Sequence, residues 1–556
     1  MKTSYIKLFA AVVGAASLSS CVEEVFPTSG IVQEQLEESP KAVEAIVMGM
    51  PAYLNTYDQM GNSQAYDWGN PALMRVREVM TEDFTNVPSG YDWFTTWASV
   101  SVAITQDYMA TQWIWVSYSK QVLTTNLAIK SVDPETDNPT LRSYLGAAYA
   151  FRASVYLDWA RMYEFMPNLY VSGVNSYGND VTGLTVPKVT ENTTEEESRN
   201  NPRMTHDEAV EFIKGDLNMA LELLSTNAAG RASKILPDLS VVYGLLARVN
   251  MWDASYYDEK YNVPAPDAAR AAAGYAEALK YAQLATADYT PTTEDEWLST
   301  TTGFNDLSTP SWMWGQQYVK EDGAVQTALL NWTSWMSNET TFGYASAGPF
   351  IMINAATYNK ISDRDFRKLS WCAPNGSSLQ SRVPVISQEF AEEWFEPYFS
   401  VKFRPGSGNM DDYQTACVVA IPLMRVEEMY LIAAEAAAHA NPAQGVSLLE
   451  DFMKTYRYNT YKCYATDQDD VIDEIILQKR IELWGEGLNY FDLKRLNMSV
   501  TRAYDGSNWN WGSNTYNTDG RPAWVNFVIV QSEGTNNAGV LQFNNPSPYQ
   551  AIAPIN

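Results

Sequence analysis

Apolar residues recur at spacings of three and four through most of the chain, the period of an α-helix with one buried face. The clearest run lies between 423 and 440, where Leu423, Val426, Met429, Tyr430, Ala433, Ala434 and Ala437 form one wide apolar stripe. Asn441 and Pro442 interrupt it. An Asn side chain closes one helix and caps the next, and Pro at a first helical position gives up only an N–H that has no partner there. The pattern therefore predicts a tight helical hairpin. After a polar stretch, Ile472, Ile475, Ile476, Ile481, Leu483 and Trp484 predict a third helix. Gly485 and Gly487 then let it end or let another backbone approach closely.

The same period runs through the first half. A helix is predicted from about 34 to 57, and another from about 71 to 81 that leads into a loop dense in aromatic and polar groups. Residues 106–165 read as two helical blocks broken at Asp133 and Pro134. Leu145, Gly146 and Tyr149 stand at the spacing of a tetratricopeptide first helix, with Arg142 where that motif has Trp, which makes a degenerate repeat. Thr205 and Glu208 open a helix in capping-box style, and 236–252 with 268–287 predict the next hairpin. Successive helical hairpins without strands between them indicate a solenoid. Between 288 and 421 the periodicity fades and Gly, Ser, Thr, Asn and Pro rise, which predicts a loop-rich insert.

The first residues, MKTSYIKLFAAVVGAASLSSC, have a basic start, a short apolar core and small residues before Cys21. This pattern predicts a lipoprotein signal peptide over 1–20, acylation at Cys21 and a tether over 21–33. Lys and Arg number 38 against 66 Asp and Glu, a formal charge of −28. That excludes a nucleic-acid partner, which needs clustered cations. Cys372, Cys417 and Cys463 are isolated and odd in number, so no disulfide framework is encoded. With only His206 and His439, a multi-histidine metal site is excluded, and no metal centre or cofactor is predicted. No phosphate-binding or dinucleotide-binding glycine run occurs.

Eighteen tryptophans, many beside Asn, Ser, Thr and Asp, suggest a carbohydrate ligand. A pyranose ring offers an apolar face for an indole to cover and a rim of hydroxyls for amides and carboxylates. Trp312 and Trp314 share one side of an extended segment, and Trp332 and Trp335 alternate with hydrogen-bonding groups, so all four are candidate ligand residues.

Two runs carry a resemblance to a known family. Arg425, Glu427, Glu428, Tyr430, Leu431, Ile432, Ala434, Glu435 and Ala436 form the first, and Arg480, Ile481, Glu482, Leu483, Glu486, Gly487, Phe491, Asp492, Leu493 and Arg495 the second. In this order they resemble the C-terminal part of the SusD/RagB family of outer-membrane nutrient-binding lipoproteins. The resemblance implies a mainly α fold, a tetratricopeptide-like superhelix of helical hairpins with a large loop-rich insert carrying the ligand face. It divides the chain into N-terminal hairpins over 34–287 with an aromatic loop near 83–97, the insert over 288–421, and C-terminal helices and tail over 422–556. It also marks that aromatic loop as part of the ligand platform, with Asn86, Tyr91, Trp93 and Trp97 as candidates. Glu23 and Glu24 after Cys21 fit the acidic tether of surface-exported lipoproteins.

The implied function is non-enzymatic: capture of oligosaccharides at the cell surface and delivery to a SusC-like TonB-dependent transporter, from a lipid anchor in the outer membrane. Two other readings stay open, a RagB-like peptide binder and a helical lipoprotein glycosidase or lyase using a carboxylate pair. Glu482 and Glu486, beside Lys479 and Arg480, are expected in an ion network that fastens the last helices, with Asp492 and Arg495 paired nearby.

Overall fold

A computed structural model describes residues 40–61, 64–89, 93–94, 97, 104–509 and 516–548. Cys21 and Tyr91 lie outside the described residues. The principal helices of the first half are α1 (Pro40–Tyr53), α2 (Asn70–Val79), α3 (Met109–Lys130), α4 (Pro139–Tyr163), α5 (His206–Ser225), α6 (Leu239–Tyr257) and α7 (Ala268–Ala285). The second half contains α8 (Gln388–Trp394), α9 (Val426–Ala440), α10 (Pro442–Tyr456), α11 (Gln468–Glu482), α12 (Asn489–Arg495) and α13 (Gln531–Asn536). Six short strands accompany them: β1 (Phe84–Asn86), β2 (Leu184–Pro187), β3 (Arg203–Thr205), β4 (Trp312–Gln317), β5 (Ile351–Ile353) and β6 (Ala420–Arg425).

Local chemistry sets the helix boundaries. The Asn138 side chain accepts from the Thr140 and Leu141 N–H groups and Pro139 opens α4. Thr205 and Glu208 complete a reciprocal capping box on α5. Asn441 ends α9 and its side chain accepts from the first N–H groups of α10, with Pro442 in the first turn, as the sequence predicts. Then packing takes over. α1 lies on α3, α3 on α4, α4 on α5, α5 on α6, α6 on α7, α7 on α9, and α9 on α10 and α11. Each helix buries its apolar stripe largely against chain neighbours, the arrangement of a helical-hairpin superhelix. Gly146 permits one such contact, because a Cβ there would stand 2.7 Å from the Leu224 side chain.

The segment from 286 to 419 is as irregular as its composition predicts, yet it is woven into the core. β4 pairs antiparallel with β6, which runs directly into α9, and β1 pairs antiparallel with β5 in the register Phe84↔Ile353 and Asn86↔Ile351. The polar residues of this segment serve its own backbone, which no helix ladder satisfies. Asn338 donates to the Ile351 and Ser400 carbonyls and accepts from the Ile351 N–H. Asn331 accepts from the Ser334 N–H, and Thr333 donates to the Ala416 carbonyl.

Beneath α11 lies a dense ion cluster. Glu482, fully buried, accepts from Arg367 at 2.9 Å, Arg457 at 2.8 Å and Arg425 at 3.1 Å. Glu486 accepts from Lys402 at 2.8 Å and Arg425 at 2.9 Å. The network is present, but its cations differ from the near neighbours that helical spacing suggests. Lys479 pairs with Asp492 at 2.8 Å, and Arg480 reaches back to Asp83 and Glu82 beside β1. Arg495 pairs with both Asp492 and Glu435, at 2.8 and 2.6 Å. Gly487, at a positive φ of 76°, passes so close to α2 that a Cβ would meet the Met74 Cα at 2.7 Å.

Candidate functional site

Most of the predicted ligand residues are structural. Trp97, Trp312, Trp314, Trp332 and Trp335 are all buried. Trp314 donates its indole N–H to the Ile235 carbonyl and meets Phe151 edge-on at 5.0 Å. Trp332 packs edge-on against Phe403, and Trp97 against Tyr66. Asn86 is buried and its amide donates to the neighbouring Val87 carbonyl at 3.1 Å. With their faces covered by protein, these side chains have no surface on which to stack a ligand. The physical reason is that indoles bury large areas wherever backbone polarity is already satisfied, and the irregular segment supplies such places.

Trp93 differs. The Val87 N–H donates to the Phe350 carbonyl at 2.8 Å, which extends the β1/β5 pairing into the start of the aromatic loop. Phe94 then plugs into the core against Trp68, Trp97 and Trp335. The Arg75 guanidinium lies 4.7 Å from the Phe94 ring centre and 4.8 Å from that of Trp335. Burial pushes the Arg75 pKa down to about 9. Between these two fixed points Trp93 stands 47% exposed. Tyr344 stacks on Trp335 with ring centres 4.0 Å apart, and a Cβ on Gly348 would come within 3.6 Å of Ser89. The 342–350 segment therefore borders the loop.

A second exposed indole precedes Phe395, whose ring contacts Phe350. Phe350, stacked on Phe399 at 4.9 Å, also meets Phe395 at 6.1 Å. Phe395 follows α8, whose last residue, Trp394, is 50% exposed. Upstream, the segment leading to α8 is held by Glu339, which pairs with Arg404 and accepts from the Ile386 N–H at 2.8 Å. Of the 18 tryptophans, Trp511 lies outside the described residues, Trp93 and Trp394 are exposed, and the others are buried. Sequence reasoning does not single out Trp394 as a site residue. The available signal is its place among Glu392, Glu393 and Glu396, acids that mark a solvated helix face.

Both histidines are held in packed surroundings. His206 bridges Glu164 at 2.7 Å and Asp253 at 3.4 Å in the interior, stacked on Tyr256 at 3.6 Å. His439 stacks on Tyr275 at 3.5 Å and is likewise enclosed. The carboxylates of Glu482 and Glu486 are paired with buried cations. Among the described residues, no group of three or more His, Cys, Asp or Glu side chains is suited to hold a metal ion. Cys372, Cys417 and Cys463 are unpaired. No helix among the described residues is long and apolar enough to cross a membrane.

Two family models match the chain. Residues 34–251 match a family described as "Starch-binding associating with outer membrane", and residues 276–552 match the SusD family. Among solved structures, a SusD-like carbohydrate binding protein from Bacteroides vulgatus ATCC 8482 superposes with a TM-score of 0.67 at 21% identity, over 91% of this chain and 98% of that one. A SusD superfamily protein from Bacteroides thetaiotaomicron VPI-5482 gives 0.63 at 16% identity, over 90% and 98%. Surface glycan-binding protein A from Bacteroides uniformis gives 0.60 at 16% identity, over 92% and 100%. No curated protein matches the chain. With both halves matched by family models, the paired C-terminal motifs in place and the superhelix shared with these structures, the chain belongs to the SusD/RagB family.

Proposed function

We propose that the chain is a glycan-capturing lipoprotein of the outer-membrane surface, anchored through Cys21, which passes oligosaccharides to a SusC-like TonB-dependent transporter. The observation that carries the reading is the selective exposure of Trp93 and Trp394, in a chain that buries its other described tryptophans. An indole held on a fixed backbone covers a sugar face at little cost in side-chain entropy. Similar folds in proteins described as carbohydrate-binding and surface glycan-binding support the ligand class. Binding by stacking breaks no bond, so the proposed role is capture without catalysis.

The test is titration calorimetry of the chain from residue 22 onward against neutral and acidic oligosaccharides and against peptides, with reducing ends assayed in parallel. Saturable binding of a glycan with no new reducing ends is expected. Binding confined to peptides would replace the reading with a RagB-like one, and release of reducing ends would replace it with a hydrolase.

A further inference from the structure

A groove of about 710 Å³ opens between residues 105–107, the loop at 170–177 and the C-terminal stretch 528–547. Its volume falls in the ~300–1,000 Å³ range of small-molecule sites. It is separate in composition from the Trp93 rim and shares no lining residue with it. Its floor includes the buried side chains of Val528, Ile529 and Val530. Over that floor stand phenols, amides and hydroxyls, and Asp107 is the one charged side chain among the described residues that line it. The contrast with the neighbouring groove across α13 decides the ligand class, because that one carries Glu195, Arg199 and Glu533. A lining so poor in charge, within a chain this acidic, suits a neutral polyhydroxylated ligand rather than an ionic one.

The walls are fixed before any ligand arrives. Asn175 donates to the Gln542 and Asn544 carbonyls at 2.8 and 3.1 Å and accepts from the Tyr177 and Asn179 N–H groups. This fastens the 170–177 loop to the C-terminal stretch. Opposite, the Gln531 N–H donates to the Gln106 carbonyl at 2.8 Å, and Asn544 donates to the Gln106 side-chain oxygen and to the Ile529 carbonyl. Tyr177, anchored by its backbone, holds its ring 59% exposed at the rim. A rigid cleft with a presented phenol loses little entropy on binding.

We infer that this groove is a second carbohydrate-contacting site, with Tyr177 stacking on a neutral sugar ring and Gln106, Asp107 and Gln531 receiving its hydroxyls. The inference rests on the glycan reading of the Trp93 rim and adds a separate place of contact. The experiment is hydroxyl-radical footprinting, read by mass spectrometry. It uses the chain from residue 22 onward with short and long members of the malto-, xylo-, manno- and galacto-oligosaccharide series, with calorimetry on the same samples.

A saturating oligosaccharide is expected to slow oxidation of Tyr177 severalfold, and Tyr177→Ala to weaken its binding at least threefold with an unchanged melting temperature. Tyr177→Phe should retain binding, because the ring face is kept. Protection at Trp93 and Trp394 with Tyr177 oxidised at its free rate, and Tyr177→Ala binding as wild type, would overturn the second site and leave the first reading standing. Failure of every oligosaccharide to bind the wild-type chain would remove both.

Discussion

The ion cluster under α11 and the aromatic rim around Phe350 use the chain in opposite ways. The cluster draws Arg367, Lys402, Arg425 and Arg457 from distant segments onto Glu482 and Glu486, out of contact with solvent. The rim uses two indoles on short, locally anchored segments and leaves both partly in water. Three of the motif residues, Arg425, Glu482 and Glu486, lie in the cluster, where removing one partner strands a charge in low dielectric. The indoles proposed to meet ligand are about half exposed. Part of the family motif thus lies where the fold is held, and the proposed ligand contacts lie where the fold presents them.

That contrast can be broken from its larger side first. Glu482→Ala leaves three buried guanidinium groups short of an anion, and a loss of about 3–5 kcal/mol is expected in urea unfolding followed by tryptophan fluorescence. Acid should act on the same cluster. Burial alone would raise the Glu482 carboxyl, but Arg457, Arg425 and Arg367 outweigh it and hold it well below the ordinary range. Glu435 is similarly buried, and Arg495 outweighs that to bring it down to about 2. Both carboxylates are more acidic folded than unfolded. Their contribution is complete above about pH 4.5 and is lost as pH falls toward 2, so unfolding midpoints should drop steeply through that window.

Trp332→Ala tests the reassignment of an indole from ligand to core. A loss of about 3–5 kcal/mol is expected from the emptied volume, with ligand affinity per folded molecule unchanged.

A smaller effect of opposite sign is expected at Glu78, which is buried in α2 and accepts from the Gly487 N–H at 2.7 Å. Burial pushes its pKa up to about 8, so the folded chain keeps a proton there that the unfolded chain releases near pH 4.5. Wild-type stability should therefore fall between about pH 4.5 and 8 through this group. Glu78→Gln should flatten that fall, gaining about 1–3 kcal/mol at pH 9 and little at pH 5. The smallest stability change belongs to the rim: Trp93→Ala should leave the melting temperature within about a degree while weakening glycan binding about tenfold, or ~1.4 kcal/mol.

Much of the scaffold is legible in the sequence because helices announce themselves by period and cap. Asn441–Pro442 and Thr205/Glu208 stand where the patterns put them. The ion network is legible in kind but not in pairing. Helical spacing sees only neighbours three and four residues away, whereas Arg367 and Lys402 reach Glu482 and Glu486 from the irregular segment. The indoles of that segment were the least readable. Without a period, a Trp beside Asn or Ser looks solvated, yet Asn331 and Asn338 turn their polarity onto the backbone and leave Trp332 and Trp335 to pack. Trp394 escapes for the converse reason, since exposure at the end of a seven-residue helix leaves almost no pattern.

The most direct measurement is calorimetric titration of the wild-type chain and a Trp93→Ala/Trp394→Ala double variant with the tightest-binding oligosaccharide, each sample's melting curve recorded alongside. The account predicts saturable binding by wild type, a loss of more than about tenfold in the double variant, and superimposable melting curves. Equal affinity in the two proteins would contradict it, because the ligand would then be held by surfaces other than the exposed indoles.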